Sequence, residues 1–572
     1  MDARKATIKE VFNGSTLIEI PFFQRSYVWK EELWARFLED MEYITRTNKP
    51  HFLGSIILKE GHKPEEGAMY SACKTVVDGQ QRLTTFLIFL KALCLKLDQS
   101  MLFDFQFRLM GGKVALRHGK NDIEAFEMVM NAKESAEFEK NSNKSRIIDA
   151  FNYFMRNMDE HKLSIMPIIM YAQFVRIDLN QEEDEQQIFD TINSLGVRLT
   201  TSELLKNYFF SRESVAEYEN KWEKVFEKDD ETKAYWDTEI ETGRIKRALI
   251  DIFFDAYFQI FIQNRAYSIT NEDKIMYARV DNLAQSYQHF ITHYCHGDKS
   301  VVLDQLREYA LCFKDTFLPD QCNREVPKEM GIERLNVIIF GLKTTTLIPY
   351  MLYLVKNVQE EKTLLRICGI IESYVMRRII VHAPTKNYNN LFTSLILNNI
   401  LDENSLMSRL NKTEDATTYI PSDEEIDIGF STGKLINLQT RGIIYLLESK
   451  IRPTNSATML LGFNNYSVEH LMPKNWRSNW GKCSSEESEK NRDSVLLTLG
   501  NLAIIPQALN ASIRDAAWEQ KKQGKGNRKG LMNCAAGLVT LQDVLNKEIW
   551  DEDEIKKRAM WLSSQAKAVW KI

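Results

Sequence analysis

The chain has 572 residues, which is too long for one ordinary hydrophobic core, so we expect about three domains. Its composition, 44% hydrophobic and 27% charged, is typical of a soluble globular protein. No run of about 18 apolar residues is present, and residues 1–5 lead into a polar segment. We therefore expect neither a membrane span nor a secretory signal, but a cytoplasmic protein with no membrane partner.

The distribution of cysteines and charges indicates the cellular compartment and the part of the chain that contacts nucleic acid. The eight cysteines are scattered without a Cys-x-x-Cys pair, which disfavours a zinc ribbon and a disulfide framework and fits a reducing cytosol. Residues 431–572 contain 21 Lys and Arg against 14 Asp and Glu, a net +7. Because the whole chain carries −5, residues 1–430 carry −12. A basic C-terminal part on an acidic body predicts that the C-terminal part contacts nucleic-acid phosphates.

The N-terminal segment predicts a strand, a polar block, a helix and a second strand. Residues 16–20 form the first strand, and Gln24 and Arg25 follow it where the wall of a pocket would lie. The amphipathic pattern of residues 31–47 predicts a helix. Residues 52–58 predict a buried strand, and a glycine inside it indicates close approach of a ligand or another backbone.

A strand-to-helix corner comes next, and we expect it to organise the N-terminal part. Residues 74–77 suit a strand, and from Leu83 onward the pattern predicts a mostly buried helix. Thr84 and Thr85 are candidate caps for its first turn. The N-terminus of a helix has unpaired N–H groups and a partial positive charge, so a phosphate fits there.

Five consecutive residues occupy this corner: Asp78, Gly79, Gln80, Gln81 and Arg82. Gly79 permits the sharp turn. Arg82 could hold phosphate oxygens with two hydrogen bonds, and Asp78 could hold Mg²⁺ or orient a water. Equally, Asp78 could cap the helix and Arg82 could be a surface charge, and the spacing alone leaves both interpretations open.

Two apolar stretches, residues 165–171 and 174–179, predict strands. A helix over residues 183–195 is expected to end at Gly196, and Thr200 is expected to cap another helix. Three further polar side chains could line a nucleotide pocket or equally belong to solvated helix faces: Asn193, Lys206 and Asn207.

Residues 211–400 are rich in large apolar and charged residues at helical spacing and predict an all-α domain. Within it, His289, His293 and His296 share one helix face. No acidic partner accompanies them, so a structural role at a helix C-terminus is preferred over metal binding.

An arginine pair and an acidic stretch follow. Of Arg377 and Arg378, at most one is expected to face a phosphate or a partner domain, and the other is expected to be solvated. Residues 402–427 are acidic and polar, which predicts a linker into the last domain.

Four blocks in the N-terminal part, residues 20–29, 52–58, 78–85 and 189–208, occur in a characteristic order. They resemble the ParB-like N-terminal domain of GmrSD-type, modification-dependent (type IV) restriction endonucleases, in which this domain binds and hydrolyses nucleoside triphosphates. The resemblance implies a pocket for GTP, ATP, CTP or UTP. It assigns catalytic roles to Asp78 and Arg82. Nucleotide-binding residues implied by it are Gln24, Arg25, Asp78, Gly79, Gln80, Gln81 and Arg82.

The C-terminal part carries Glu469-His470 in a strand-like stretch, Asn501 with a second strand and Asn510 in a following helix. This ββ-then-α order resembles the His-Me finger (HNH) nuclease domain of the same family. The resemblance implies that His470 activates water and that Glu469 and Asn510 hold Mg²⁺ or Mn²⁺. Asn501 is implied to orient the loop or His470. Residues 474–495 are longer than a minimal finger needs, and the third position is Asn510 rather than His.

A basic segment follows the nuclease blocks and contains Lys521, Lys522, Lys525, Arg528 and Lys529 with two glycines. One interpretation is a solvated flexible loop. The other is a DNA-binding phosphate clamp with salt-sensitive, sequence-independent affinity.

The sequence thus predicts a multidomain α+β protein. Residues 1–210 are expected to form a ParB-like α/β nucleotide domain, residues 211–428 an α-helical coupling domain, and residues 429–572 a ββα-metal (HNH) nuclease domain. The leading hypothesis is an NTP-dependent or NTP-regulated endonuclease that restricts modified phage DNA, bound as double-stranded DNA by a possible homodimer. Two alternatives remain: a ParB-like nucleotide-controlled DNA clamp without productive cleavage, and a host-directed toxin nuclease that acts on RNA.

Overall fold

The computed structural model describes residues 2–22, 24, 26–61, 64, 70–119, 122–134, 138, 145–180, 200–210, 214–243, 245–278, 280–411, 417–454, 456, 458–509, 515–534 and 537–572. They form two compact units, Met1–Asn220 and Lys221–Ile572. Helices and a mixed sheet occur together, as expected for an α+β protein. The ParB-like and ββα-metal assignments and the three-domain division stay predictions.

The first unit is built on a six-stranded mixed sheet. Its strands are β1 (Asp2–Thr7), β2 (Thr16–Glu19), β3 (His51–Glu60), β4 (Ala72–Asp78), β5 (Leu116–Arg117) and β6 (Ala172–Leu179). Their spatial order is β1-β6-β3-β4-β2-β5. Strand β3 pairs parallel to β6 and antiparallel to β4, while β2 pairs parallel to both β4 and β5. The end of β4, where the corner begins, therefore lies inside the sheet.

Nine helices of the first unit lie within its described residues: Ile8–Val11, Glu31–Thr47, Gln80–Lys96, Ser100–Phe107, Ile123–Met130, Arg146–Asn157, Ile165–Tyr171, Thr201–Phe209 and Val215–Tyr218. We call Gln80–Lys96 the corner helix. Its apolar side chains are buried around nearly the whole circumference. Phe86 packs edge-to-face on Phe37, and Phe89 packs in the same way on Phe154. A helix that is hydrophobic on all sides has to be buried, so the corner helix is the core of this unit.

Most of the predicted elements in the first unit are confirmed. The helix Glu31–Thr47 has the predicted limits, and β2, β3, β4 and β6 lie where strands were expected. The helix Thr201–Phe209 begins with a capping box formed by Thr200 and Glu203. The blocks predicted over residues 181–199, including Asn193 and Gly196, lie outside the described residues.

Two local predictions in the first unit are wrong. Residues 165–171 form the helix Ile165–Tyr171 rather than a strand, and the buried Ile165, Ile168 and Ile169 follow helical spacing. A short apolar run cannot be assigned to helix or strand by hydrophobicity alone. Thr84 and Thr85 are not caps, because the corner helix begins at Gln80 and both threonines are buried inside it.

The second unit is mainly helical. In the described residues its helices are Lys224–Phe226, Asp230–Trp236, Leu249–Ile262, Asn271–Tyr277, Leu283–Tyr294, Ser300–Thr316, Ile332–Asn336, Ile348–Asn357, Glu361–Ile380, Tyr388–Leu397, Glu403–Asn411, Asp423–Thr432, Asn437–Ile451, Trp476–Asn479, Glu486–Val495, Trp518–Gln523, Leu531–Cys534, Val539–Leu545 and Glu552–Val569. Short 3-10 or π-helical turns across both units are Glu160–Lys162, Glu219–Glu223, Arg265–Tyr267, Val280–Asn282, Pro319–Asn323, Val337–Gly341, Thr345–Leu347, Phe463–Asn465 and Leu499–Asn501.

Three small antiparallel pairs complete the second unit. They are formed by β7 (Glu239–Thr242) with β8 (Ile245–Ala248), β9 (Tyr466–His470) with β10 (Leu502–Pro506), and β11 (Gly524–Lys525) with β12 (Arg528–Lys529). The first pair interrupts the stretch predicted as all-α. The second carries the predicted nuclease residues, and the third lies in the basic segment.

A buried ion pair joins the helices of the second unit. Arg334 and Glu372 are fully buried and make two hydrogen bonds of 2.7 and 2.8 Å. Arg334 also donates to the Ser449 hydroxyl at 2.6 Å, and the Trp570 indole donates to Glu372 at 3.0 Å. Two of these partners precede the predicted linker in the sequence and two follow it. The helical stretch and the C-terminal stretch therefore share one core.

The predictions for the arginine pair and the linker are wrong. Arg377 and Arg378 are both buried instead of one being solvated. Arg377 donates to the Pro421 and Trp570 carbonyls, whereas Arg378 donates to carbonyls that include that of Tyr419. Because a guanidinium has five donors, backbone carbonyls on several sides can satisfy it inside the protein. Two helices, Glu403–Asn411 and Asp423–Thr432, occupy much of the stretch predicted as a linker.

Replacing Arg334 tests this core. We expect Arg334→Met to lower the free energy of unfolding by about 3–5 kcal/mol, because it leaves Glu372 buried without its counter-charge. Urea unfolding followed by tryptophan fluorescence measures the change. The control is Arg366→Met on the helix that carries Glu372, because the pair of Arg366 with Glu403 is half exposed and its loss should cost about 0–1 kcal/mol. Equal losses in the two variants would contradict the role of the buried pair.

Candidate active sites

The corner after β4 has a backbone that only glycine suits. Gly79 has φ of +97°, a conformation that side chains with a Cβ disfavour. A Cβ at this position would also lie 2.7 Å from the Cγ2 atom of Ile56 on β3. The close approach of two strands and the left-handed turn thus both require glycine. The corner helix begins at the next residue, Gln80, which directs its first N–H groups toward the corner.

The segment containing Gln24 is held against this corner. The Gln24 side-chain amide donates to the Val76 carbonyl at 2.6 Å. The Gln81 side chain accepts from the Val28 backbone N–H at 2.9 Å and donates to the Ser26 carbonyl at 3.2 Å. Two blocks that are more than 50 residues apart in the sequence therefore meet. Gln80 lies in the same first turn, and Arg25 lies outside the described residues.

A buried polar network lies behind the same segment. The Tyr27 hydroxyl is 2.6 Å from the Thr85 hydroxyl, and the Tyr27 backbone N–H donates to Asp122 at 2.6 Å. His118 Nε2 lies 2.9 Å from the Thr84 hydroxyl, and its other ring nitrogen lies 3.9 Å from Asp122. Burial lowers the pKa of His118 to about 3, so the ring is neutral at physiological pH. The two threonines predicted as caps instead anchor this network.

Asp78 and Arg82 are the accessible charges of the corner. Their side chains are 22% and 29% exposed, and their nearest charged atoms are 3.4 Å apart. Arg82 also donates to the Ser55 carbonyl at 2.5 Å. A Cβ on Gly54 would lie 2.9 Å from Arg82 Nε, so the strand glycine makes room for the guanidinium. The aligned cation and carboxylate beside a helix N-terminus can bind a phosphate group or its metal ion.

The candidate nuclease site is built on the β9–β10 pair. Glu469 and His470 are the last residues of β9 and lie opposite Ala503 and Leu502 of β10. Asn501 immediately precedes β10 and is fully buried. Strand pairing thus brings together residues that are about 30 positions apart in the sequence.

Asn501 holds the turn that follows His470. Its side-chain oxygen accepts from the Met472 backbone N–H at 2.8 Å and from the Trp550 indole at 3.1 Å. Its side-chain nitrogen donates to the Met472 and Leu496 carbonyls at 2.8 and 2.9 Å. All these bonds serve the protein itself. Asn501 can therefore act as a positioning residue for His470 and has no need to contact substrate.

Glu469 forms a buried ion pair with Lys521. The Lys521 ammonium contacts the Glu469 carboxylate and also donates to the His470 carbonyl at 2.6 Å. Burial raises the pKa of Glu469, and the Lys521 charge opposes this rise. Burial lowers the pKa of Lys521, and Glu469 opposes that change. A cation is thus already bound to the carboxylate that was predicted to hold a metal ion.

His470 is held in its neutral form. Burial lowers its pKa to about 4, helped by the positive charges of Lys474 and Lys521 and opposed by Asp515. A neutral imidazole can accept a proton, as a general base must. Asp515 is held by the Asn475 side chain at 3.0 Å. Sequence reasoning missed Asp515, because no motif or spacing marks it and only folding brings it near His470.

Whether the β9–β10 site could hold a metal ion depends on the ligands around Glu469. Across the residues that the structure describes, no three His, Cys, Asp or Glu side chains are grouped so as to hold a metal ion. Asn510, the second predicted ligand, lies outside the described residues. The donor chemistry nevertheless fits a cation, since Glu469 is a buried carboxylate with a cation bound and Asp515 adds negative charge nearby.

The histidines of the middle stretch form a local cluster held by a hydrogen bond and by ring stacking. His289 Nδ1 lies 2.7 Å from the Tyr277 hydroxyl, and the rings of His289 and His293 stack at 4.0 Å. His296 follows the helix end with φ of +54°. Hydrogen bonding and ring stacking account for the first two histidines, in line with the structural interpretation of their spacing.

The basic segment is divided between interior and surface. Lys521 and Lys522 lie on the helix Trp518–Gln523 and are buried, and Lys522 donates to the Lys547 carbonyl at 2.9 Å. Their ammonium groups therefore face protein atoms. The other three predicted DNA-binding residues lie exposed on or beside the turn of the β11–β12 hairpin: Lys525, Arg528 and Lys529.

The buried histidine of the first unit predicts a pH dependence of stability. Folded His118 stays neutral down to a pKa of about 3, whereas an unfolded histidine gains a proton below about pH 6.5. Protonation therefore favours the unfolded state, and folding is weakened as the pH falls below 6.5. We expect the stability advantage of wild type over His118→Gln to shrink by about 1.4 kcal/mol per pH unit between pH 6.5 and 5. Urea unfolding at several pH values measures it, and a constant difference would contradict the assignment.

Comparisons with known protein families match the two ends of the chain. Residues 8–210 match the model of the GmrSD restriction endonuclease N-terminal domain, which includes the corner. Residues 420–565 match the model of the GmrSD restriction endonuclease C-terminal domain, which includes the β9–β10 site. A search of curated proteins found no match. In the described part of the chain, no helix is both long and apolar enough to cross a membrane. With both of its domain models matched over more than half of the residues, the chain belongs to the GmrSD restriction endonuclease family.

Proposed function

We propose that this restriction endonuclease cleaves modified phage DNA at the β9–β10 site and responds to a nucleoside triphosphate bound at the corner. One observation carries the proposal. In the segment that matches the family's C-terminal domain, His470 stays neutral by burial at the end of a strand, directly after the ion-paired Glu469. Hydrolysis of a phosphodiester requires a base that accepts a proton from water and a group that binds a cation, and a neutral imidazole beside a carboxylate can supply both.

His470 is the general base in this proposal. It removes a proton from a water molecule, which attacks the phosphorus atom of the DNA backbone. Asn501 keeps His470 in place through the turn that follows it. A divalent ion, Mg²⁺ or Mn²⁺, held by Glu469 and Asn510, would neutralise the negative charge that develops on the leaving oxygen. Asp515 adds negative charge to the same surroundings, which favours binding of a cation.

The β11–β12 hairpin is the proposed contact with the DNA backbone. Its exposed Lys525, Arg528 and Lys529 follow a helix whose Lys521 is bonded to Glu469 and His470. A short hairpin that follows a helix bonded to the β9 strand can present positive charge to phosphates near the cleaved bond. These contacts carry no sequence information and suit an enzyme that recognises the modification of its DNA.

The corner is the proposed nucleotide site. Asp78 and Arg82 are partly exposed at the N-terminus of a buried helix, and Gln24 and Gln81 fix the opposite segment. The N–H groups of the helix and the Arg82 guanidinium would bind phosphate oxygens. Asp78 would hold Mg²⁺ or orient a water for hydrolysis of GTP, ATP, CTP or UTP.

The variant His470→Ala tests the nuclease assignment. We expect cleavage of modified DNA to fall at least about 10²-fold while DNA binding is retained, because a general base contributes about 10²–10⁴ in rate. Gel assays compare modified DNA, unmodified DNA and RNA, with and without nucleotide and Mg²⁺. The control is His293→Ala, which replaces an exposed histidine of the middle stretch and should cleave as wild type does.

The same assay decides between the competing functions. Preferential cleavage of RNA would support a toxin ribonuclease instead. Binding of DNA with no cleavage of any substrate would support a nucleotide-controlled clamp.

The variant Asp78→Asn tests the corner. We expect nucleoside-triphosphate hydrolysis to fall at least about 10²-fold, since loss of one carboxylate removes a metal-binding or water-orienting group. The matched control is Asp104→Asn. Asp104 forms a pair with Arg108 at the same helical spacing, at 2.7 Å, but away from the corner. Phosphate release measures hydrolysis, and equal rates for the two variants would contradict the nucleotide site.

A further inference from the structure

Lys521 occupies an unusual place for a basic residue in a nuclease. It lies in the helix Trp518–Gln523 and is completely buried. Its ammonium contacts the Glu469 carboxylate and lies 2.6 Å from the His470 carbonyl oxygen. Both partners belong to the last two residues of β9. The ammonium thus binds the strand end that carries the proposed catalytic groups.

This placement separates Lys521 from the other basic residues of its segment. The neighbouring Lys522 is also buried, yet it bonds to the Lys547 carbonyl and to Glu519, not to the β9 strand. Lys525, Arg528 and Lys529 are exposed. A fully buried ammonium cannot bind a phosphate of DNA without leaving its site. Lys521 therefore acts on the protein itself.

The role of Lys521 follows from the negative charge of the buried Glu469 carboxylate. A buried carboxylate without a counter-charge is strongly destabilising, so Glu469 needs a cation in every state of the folded enzyme. In the structure that cation is the Lys521 ammonium. A divalent ion bound to the same carboxylate would lie within a few ångströms of the ammonium, and two positive charges at that distance in a buried site repel each other strongly. Glu469 therefore binds a divalent ion more weakly while the Lys521 ammonium is bound to it, and the reverse also holds.

We propose that Lys521 is the internal counter-ion of Glu469 in the metal-free enzyme, and that a divalent cation binds only by weakening this ion pair. Lys521 is then a positioning residue that keeps the Glu469 and His470 strand end in place before metal arrives. It also sets the metal concentration at which the site fills. The inference rests on the proposed function, which assigns a metal ion to Glu469.

Two variants and a control test the proposal in the full-length chain. Lys521→Met removes the competing charge and keeps most of the side-chain volume. Lys521→Arg keeps the charge. Lys522→Met is the matched control, because it replaces the adjacent buried lysine that does not contact Glu469. Titration calorimetry with Mn²⁺, in the absence of DNA, gives the metal affinity independently of cleavage.

We expect Lys521→Met to bind Mn²⁺ at least ten-fold more tightly than wild type, while Lys521→Arg and Lys522→Met stay within about three-fold of it. Without metal, Lys521→Met should have the lowest melting temperature of the three, because Glu469 is left unpaired. Saturating Mn²⁺ should restore that melting temperature to near the wild-type value. Unchanged or weaker Mn²⁺ binding by Lys521→Met would overturn the proposal.

A second pair of variants covers the case in which Lys521→Met does not fold without metal. The double variant Lys521→Met with Glu469→Gln removes both charges, so it should fold in metal-free buffer and bind Mn²⁺ at least ten-fold more weakly than wild type. Failure of the double variant to fold would overturn the counter-ion role. If Glu469→Gln alone bound Mn²⁺ as wild type does, the competition would be refuted. The nuclease assignment would still be judged separately by cleavage in His470→Ala.

Discussion

A charged side chain that is buried needs an opposite charge or hydrogen-bond partners, and this requirement shapes the core of the second unit. The pair of Arg334 and Glu372 is fully buried and is completed by Ser449 and by the Trp570 indole near the C-terminus. Because all these groups are buried, removing one of them would leave another without its partner. The ion pair thus ties distant parts of the chain into one core.

The need to pair a buried charge also applies at the candidate nuclease site, where it affects the neighbouring His470. Glu469 and Lys521 are nearly as buried as Arg334 and Glu372, but they lie beside His470. The low-dielectric surroundings that strengthen their attraction also lower the pKa of His470 and keep its ring neutral. Burial of this strand end thus both strengthens the ion pair and keeps the His470 ring neutral.

The two domain models match the ends of the chain, residues 8–210 and 420–565, and leave the helical stretch between them unmatched. The stretch between them is nevertheless not an independent spacer in the described structure, since its helices share their core with the C-terminal stretch. The β9–β10 pair therefore rests on a helical scaffold. The corner and the candidate nuclease site share one feature: near the end of a strand, a backbone carbonyl accepts a hydrogen bond from a side chain distant in sequence, Val76 from Gln24 and His470 from Lys521.

Sequence alone determined the elements whose signals are local. Strand β4, the glycine turn and the helix Glu31–Thr47 follow from β-branched runs, a residue that tolerates positive φ, and amphipathic spacing. The ordered blocks likewise identified the family. Only tertiary structure decided which side chains are buried and with whom. It placed Lys521 on Glu469, brought Asp515 near His470 and buried both Arg377 and Arg378. The physical reason is that burial and charge pairing depend on contacts between residues far apart in the chain, which no local pattern encodes.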